Sequence, residues 1–402
     1  MASSPPLRVM EFYAGVGGFH WALKKADIDA EIVASIDINT NTNAVYAHNF
    51  HETRHLNRNI CGMTAREMDG FKSDVFVLSP PCQPFTRQGL RRDNQDRRTD
   101  SFFHLMTILS EMQTPPKYLL MENVQGFETS QTREHFVGIL DRLGYSVQEF
   151  LLSPNQFDIP NSRLRFYLLA KRKPLQFALN LKQEDGTDTL SDSISRPAHS
   201  NHPSTNAEDL IKFVSEHRLC KHKMVSVDSL ACHSETACVT PNSSSIYGTQ
   251  VSSYLLTLSD DEMSSYLVPD KILQKYAIAM DIVQPSSTHS CCFTKAYGNY
   301  ALGTGSVLQH SLGSDDLAKA FEEYSRLQGE GKTEDAVECL RKLNLRYFAP
   351  KEVANLMCFP AEFCFPPSLS RNQCYKTMGN SLNVHVVATL MTYLFHDVCR
   401  SH

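Results

Sequence analysis

The stretch RVMEFYAGVGG, residues 8–18, sets the fold. Arg8 to Ala14 is a mainly apolar run of strand length, and the Gly-x-Gly-Gly after it, at Gly15, Gly17 and Gly18, opens a segment of helical period. Glycine accepts positive φ, and bare backbone beside a helix N-terminus lets a ligand approach closely. A plain strand-to-helix turn has the same composition, so position must add to the case. Asp37 supplies it: roughly 20 residues on, at the end of the next apolar run, a carboxylate can accept hydrogen bonds from both ribose hydroxyls. The glycine spacing lacks the third position of a pyrophosphate-binding turn, and Phe12 and Phe19 lie nearby. The preferred ligand is therefore a nucleoside cofactor such as S-adenosylmethionine, over NAD.

Outward from this stretch, short apolar runs alternate with helix-period segments. Strands are expected at Arg8 to Ala14, Glu31 to Asp37, Asp74 to Leu78, Lys117 to Glu122, Val147 to Leu152 and Arg163 to Ala170. Helices are expected at Gly18 to Ala26, Thr40 to Phe50, Ser101 to Met112 and Thr132 to Leu143. This rhythm implies an α/β fold with a Rossmann-like, doubly wound, mostly parallel sheet, its last two runs forming a hairpin at the edge. After Pro174 the texture changes. Residues 183–208 are rich in Asp, Ser, Thr and Asn, as in a mobile linker or surface loop, and a mixed region runs on to about His310. Asp315 to Leu343 is charged and helix-prone with a Gly-Glu-Gly-Lys break, and Asn383 to His396 reads as a terminal amphipathic helix. The expected division is a catalytic part at 1–178, a smaller target-recognition domain at 179–340, and a C-terminal catalytic part at 341–402.

Composition bounds the function. The 402 residues are 42% hydrophobic, enough for a large core. The first eight residues have no signal-peptide pattern, and no run reaches the roughly 18 apolar residues a membrane span needs. An intracellular soluble protein with no membrane partner is expected. The 12 cysteines include no C-x-x-C pair, so they are read as reduced thiols. Cys220, His222, Cys232, His233 and Cys238 fit no paired zinc spacing, and no metal is expected. A net charge of -5 argues against a general nucleic-acid binder. Local basic clusters stand against that, at Arg87 to Arg98, at Lys171-Arg172-Lys173 and at Lys221-His222-Lys223.

Three further segments carry chemistry. Ser79-Pro80-Pro81-Cys82-Gln83-Pro84 follows an apolar run, so Cys82 sits on a loop at the carboxyl end of a strand, where such folds bind ligands. Two prolines stiffen its approach, which a core cysteine does not need. Met121-Glu122-Asn123-Val124 places a carboxyl group at another strand end, able to act as proton donor or hydrogen-bond partner to a ring nitrogen. In Asn161-Ser162-Arg163-Leu164-Arg165, period two puts Arg163 and Arg165 on one face, suited to a base carbonyl, a phosphate or a carboxylate.

In this order, with a final Gly379-Asn380-Ser381-Leu382-Asn383-Val384, these segments resemble the cytosine C5 methyltransferase superfamily. The match covers roughly the first 175 and last 60 residues. Gln83-Pro84-Phe85-Thr86, Cys292-Phe293-Thr294-Lys295 and the block from Arg346 to Glu352 look like its tRNA(Asp)-methylating branch. Asn161 stands where many relatives have Gln, and Asn59 where many have Asp. The resemblance implies the S-adenosylmethionine-dependent methyltransferase fold and makes Cys82 the nucleophile, Glu122 the partner of cytosine N3, and Arg163 and Arg165 active-site arginines around the base. It makes Phe12, Gly15, Val16, Gly17, Gly18, Asp37, Ile38, Ile60, Ser79, Asn380 and Ser381 cofactor contacts, and Arg87, Arg98, Cys292, Phe293 and Thr294 substrate contacts. The implied reaction is methyl transfer from S-adenosylmethionine to cytosine C5 through a covalent Cys–C6 adduct, releasing S-adenosylhomocysteine. The implied substrate is tRNA, specifically cytosine 38 in the anticodon loop of tRNA(Asp), and the protein is expected to be a monomer in the cytoplasm and also the nucleus. Two other readings stand beside this one: a DNA cytosine C5 methyltransferase, and a non-catalytic nucleic-acid-binding module.

Overall fold

The computed structural model describes residues 5–81, 99–177, 249–310 and 314–396. Seven strands form one sheet: β1 Leu7–Phe12, β2 Ala30–Asp37, β3 His55–Asn57, β4 Val75–Leu78, β5 Tyr118–Val124, β6 Tyr145–Leu152 and β7 Arg165–Arg172. Their order is β3-β2-β1-β4-β5-β7-β6, parallel except for β7, which runs antiparallel to both β5 and β6. The edge hairpin is present, with its second strand turned inward against β5. The strand order reverses between the parallel neighbours β1 and β4, and a sheet of this kind leaves its ligand crevice at the strands' carboxyl ends there.

Alternation along the strands assigns the two faces. Val9, Val75, Val77, Leu120, Tyr167 and Leu169 lie in one core cluster, whereas Met10, Phe12, Phe76, Leu78, Leu119, Met121 and Phe166 lie in the other. The first face is covered by α1 Gly18–Lys25 and the last helix, α12 Val384–Leu394. The second is covered by α3 Ala65–Gly70, α4 Asp100–Glu111 and α5 Gln131–Arg142. Helix α2, Thr40–Asn49, starts where the Asn39 side chain accepts from the amides of Asn41 and Thr42. Helix α12 is capped in the same way by Asn383. It is amphipathic as expected: its valines, leucines, Met391 and Tyr393 are buried between α1 and the sheet, while His385, Thr389 and Thr392 form a half-buried polar stripe on one side.

A smaller unit follows Thr249. It holds α6 Asp260–Ser265, α7 Asp270–Tyr276, α8 Ser314–Gly329 and α9 Thr333–Arg341 around a second sheet. That sheet is β8 Ile282–Val283, β9 Val307–Gln309 and β10 Leu345–Arg346, in the order β10-β9-β8. Helices α10 Pro350–Leu356 and α11 Arg371–Gly379 then lead to α12. The expected boundary at 341 therefore falls before the last strand of the small sheet. Arg346 and Glu352, both fully buried, bond in a bidentate pair at 2.7 and 2.9 Å and tie that strand to α10. Removing one partner of such a pair costs about 3–5 kcal/mol, because the other charge is left buried alone.

Candidate active site

At the carboxyl ends of β4 and β5, Ser79 and Glu122 meet. The Ser79 hydroxyl donates to Glu122 Oε2 at 2.5 Å, and Arg165 Nε lies 3.4 Å from Oε1. Glu122 is 6% exposed, so its carboxylate is held between a neutral donor and a cation with little water. Register explains the meeting: Glu122 pairs with Tyr167 and Val124 with Arg165, which puts the two charged side chains on one face, one step apart. Ser79, implied as a cofactor contact, is thus in the glutamate's own hydrogen-bond set. Cys82, three positions beyond Ser79, and Arg87 and Arg98 lie outside the described residues, as do the Cys220 to Cys238 cluster and the 183–208 stretch.

Arg163 and Arg165 converge on the Cys292 thiol, although β7 begins only at Arg165 and Arg163 belongs to the irregular segment before it. Arg163 is 3% exposed, and its guanidinium reaches two loops. Nη1 donates to Cys292 Sγ at 3.3 Å and to the Phe293 carbonyl at 3.2 Å. Nη2 donates to the carbonyl of Gly379 at 3.2 Å and to that of Ser381. Burial lowers the Arg163 pKa, and the nearby Arg165 cation adds to this. Burial alone would raise the Cys292 thiol, yet Arg163 and Arg165 outweigh it and hold the pKa below the ordinary value. Phe293 offers its carbonyl; its ring packs against Tyr297 and Phe348 in the core. Thr294 closes its loop by donating its amide to Thr304.

The segment before Arg163 is fastened to the same loop. Asn161 Nδ2 donates to Ser290 Oγ and to the Cys291 carbonyl, at 3.2 and 3.1 Å, and Ser290 Oγ donates to the Pro160 carbonyl at 2.6 Å. Ser153 Oγ accepts the Arg163 amide at 3.0 Å. Ser153 and Ser290 carried no signal in the sequence, since each acts through residues far from it along the chain.

At the other end, the amide of Gly15 donates to Asp37 Oδ2 and that of Asn39 to Oδ1, both at 2.8 Å. Asp37 thereby fixes the glycine turn and keeps lone pairs for an incoming hydroxyl. The glycines divide the work. Gly15, at φ +56, has room for a Cβ, which would meet the Tyr13 carbonyl oxygen at 3.9 Å. Gly17, at φ +82, caps α1, and a Cβ there would come 2.5 Å from the Phe50 ring. A Cβ on Gly18 would meet Leu382 at 2.8 Å, so this turn is closed from behind by the segment after Asn380-Ser381. Ile38 is 63% exposed beside Asp37, an apolar face open to a flat ring. Phe12, Val16 and Ile60 are buried; the Phe12 ring stacks edge-on against Phe76. Asn380 is exposed and Ser381 half-buried. A helix N-terminus, a carboxylate and an exposed aliphatic face, close together, suit a nucleoside that carries a carboxylate.

A cavity of about 570 Å³ lies elsewhere, at the C-terminal end of α1, lined by Trp21, Lys24, Phe157, Tyr254, Phe359 and His385. The glycine turn is at the opposite end of that helix.

Residues 7–396 match the sequence model of the C-5 cytosine-specific DNA methylases. A human protein named tRNA (cytosine(38)-C(5))-methyltransferase is 41% identical, over 97% of this chain and 99% of its own. A Dictyostelium discoideum protein named DNA (cytosine-5)-methyltransferase is 37% identical, over 96% and 94%. Among solved structures, a mutant of Spodoptera frugiperda DNMT2 superposes with a TM-score of 0.73 at 36% identity, covering 97% of this chain and 99% of that one.

Proposed function

The chain belongs to the C-5 cytosine-specific DNA methylase family, and from that premise we propose that its substrate is tRNA, methylated at cytosine 38 of the anticodon loop of tRNA(Asp). The observation that carries the chemistry is the Ser79–Glu122–Arg165 set at the strand ends beside the Pro-Pro-Cys loop. Near full-length similarity to relatives named for tRNA supports the substrate, since it extends through the small unit as well as the large sheet.

S-Adenosylmethionine, when bound, supplies an electrophilic methyl group. The glycine turn, Asp37 and Ile38 would hold its amino-acid and nucleoside parts. Cytosine C5 is a weak nucleophile, and the remedy lies in the chain's own groups. Cys82 Sγ adds as thiolate to C6, and the displaced electron pair is taken up toward N3, where Glu122 shares its proton. C5 then carries enough electron density to form the new C–C bond as the methyl's bond to the sulfonium sulfur breaks, leaving S-adenosylhomocysteine. Loss of the C5 proton restores the C5–C6 double bond and expels the sulfur. The Ser79 hydroxyl and Arg165 fix which way Glu122 faces. The base must leave its stack to reach them, which costs least in a looped strand.

The test is transfer of labelled methyl to unmodified tRNA, with bisulfite sequencing of the product and duplex DNA in parallel. Cys82→Ala is expected to bind S-adenosylhomocysteine yet transfer nothing. Full transfer by that variant refutes the assignment. The Dictyostelium relative's name favours DNA as the second reading, and faster methylation of DNA than of tRNA would establish it.

A further inference from the structure

Two loops meet behind the candidate site. One carries Cys292 and Phe293; the other runs from Gly379, at the end of α11, to Ser381. They touch backbone to backbone: a Cβ on Gly379 would stand 2.1 Å from the Lys295 amide nitrogen and 2.2 Å from the Thr294 carbonyl carbon. Arg163 donates to both loops from one planar group, two acceptors on each side. On the Gly379 side it also places a cation at the C-terminus of a nine-residue helix, where the carbonyls lack helical partners. Its own position is over-determined by the bond from its amide to Ser153 and by the Asn161–Ser290–Pro160 fastening. A rigid, planar donor so placed cannot follow one loop without disturbing the other.

We propose that Arg163 is a positioning residue that couples the cofactor side to the base side, so that occupancy of the loop at 379–381 sets the geometry around the Cys292 thiol and the reverse. It does not grip the base. The base-facing arginine is Arg165, on Glu122. Lysine in place of Arg163 keeps the charge but cannot bridge four acceptors on two loops. Linkage makes the effect reciprocal: if the thiol's bond to Arg163 shapes the cofactor loop, deleting that thiol must alter cofactor affinity.

The inference rests on the proposed adenosyl site, and its test separates the two. Calorimetric titration with S-adenosylhomocysteine is carried out on the full chain and on Cys292→Ala, Arg163→Lys and the double variant, each first checked for cooperative thermal unfolding. Cys292→Ala is expected to weaken binding about fivefold and Arg163→Lys more than tenfold, within the usual range of coupling. The double variant should be no weaker than Arg163→Lys alone. Additive losses, or unchanged affinity in Cys292→Ala, overturn the coupling while leaving the cofactor site standing. Failure of the unaltered protein to bind at all overturns the site itself. Should Arg163→Lys not fold, the pH midpoint of Cys292 alkylation by iodoacetamide, followed on the peptide by mass spectrometry, decides. Saturating S-adenosylhomocysteine should shift that midpoint in the unaltered protein, and an unmoved midpoint refutes the proposal.

Discussion

The two ends of the crevice are made of different materials. The cofactor end is backbone: an amide on Asp37, a left-handed Gly17, and a Gly18 whose missing Cβ makes room for Leu382. The base end is side chain: a carboxylate, two guanidiniums and a hydroxyl, converging from β4, β5 and the approach to β7. The lesson concerns fragility. A backbone site fails when volume is added, whereas a charged site fails when a functional group is exchanged at constant volume.

The largest expected effect breaks this comparison at the base end. Glu122→Gln is nearly isosteric and should lower kcat by about 10²- to 10⁴-fold, as for loss of a positioned proton donor, with cofactor affinity unchanged. Single-turnover rates and a cofactor titration check it; equal losses in both would mean that the two ends are not separable. Next comes the cofactor end. Gly17→Ala adds one methyl where φ is +82 and the Phe50 ring is 2.5 Å away, and should destabilise the protein by about 2–4 kcal/mol while weakening cofactor binding. Gly62→Ala, where a Cβ meets nothing within 4 Å, should stay within about 0.5 kcal/mol when both variants are unfolded in urea. A similar cost at both positions would remove volume as the cause.

The smallest effect sharpens the comparison, because one ionisable side chain does lie under the glycine turn. Glu11 is fully buried and bonded by the Tyr46 hydroxyl at 3.0 Å, and burial raises its carboxyl to about 8. A raised carboxyl makes the native state hold a proton that the unfolded chain has lost. Its contribution to stability is therefore complete below about 4.5 and disappears as pH rises through about 8. His20, which burial pushes down to about 3, has its effect below 6.5, so the window from 6.5 to 8 excludes it. Stability should fall there by up to about 1.4 kcal/mol per pH unit, and Glu11→Gln should flatten the slope. A slope that survives the substitution would assign it to another group.

Much of the large sheet was legible because its strands and helices alternate between periods of 2 and 3.6, and six of the seven strands fall within two residues of where the pattern placed them. β3, at His55–Asn57, was not: three half-polar residues give no period. The small sheet was invisible for a related reason, since its strands are two or three residues long and come from segments 24 and 36 residues apart, joined only by folding. Within the site, Asp37 and Glu122 could be read from their place at strand ends. The bridging by Arg163 could not, since its partners Cys292 and Gly379 lie 129 and 216 positions away along the chain.

Leu382 closes the glycine turn at Gly18, and α12 lies on α1. The earliest helix of the chain is thus completed by almost the last. During synthesis the N-terminal half can form strands and local helices, but the floor of its cofactor crevice has to wait for the far end of the polypeptide to emerge. Contacts of such sequence separation form slowly, so the growing chain passes much of its time on the ribosome with that apolar face uncovered and in need of shelter.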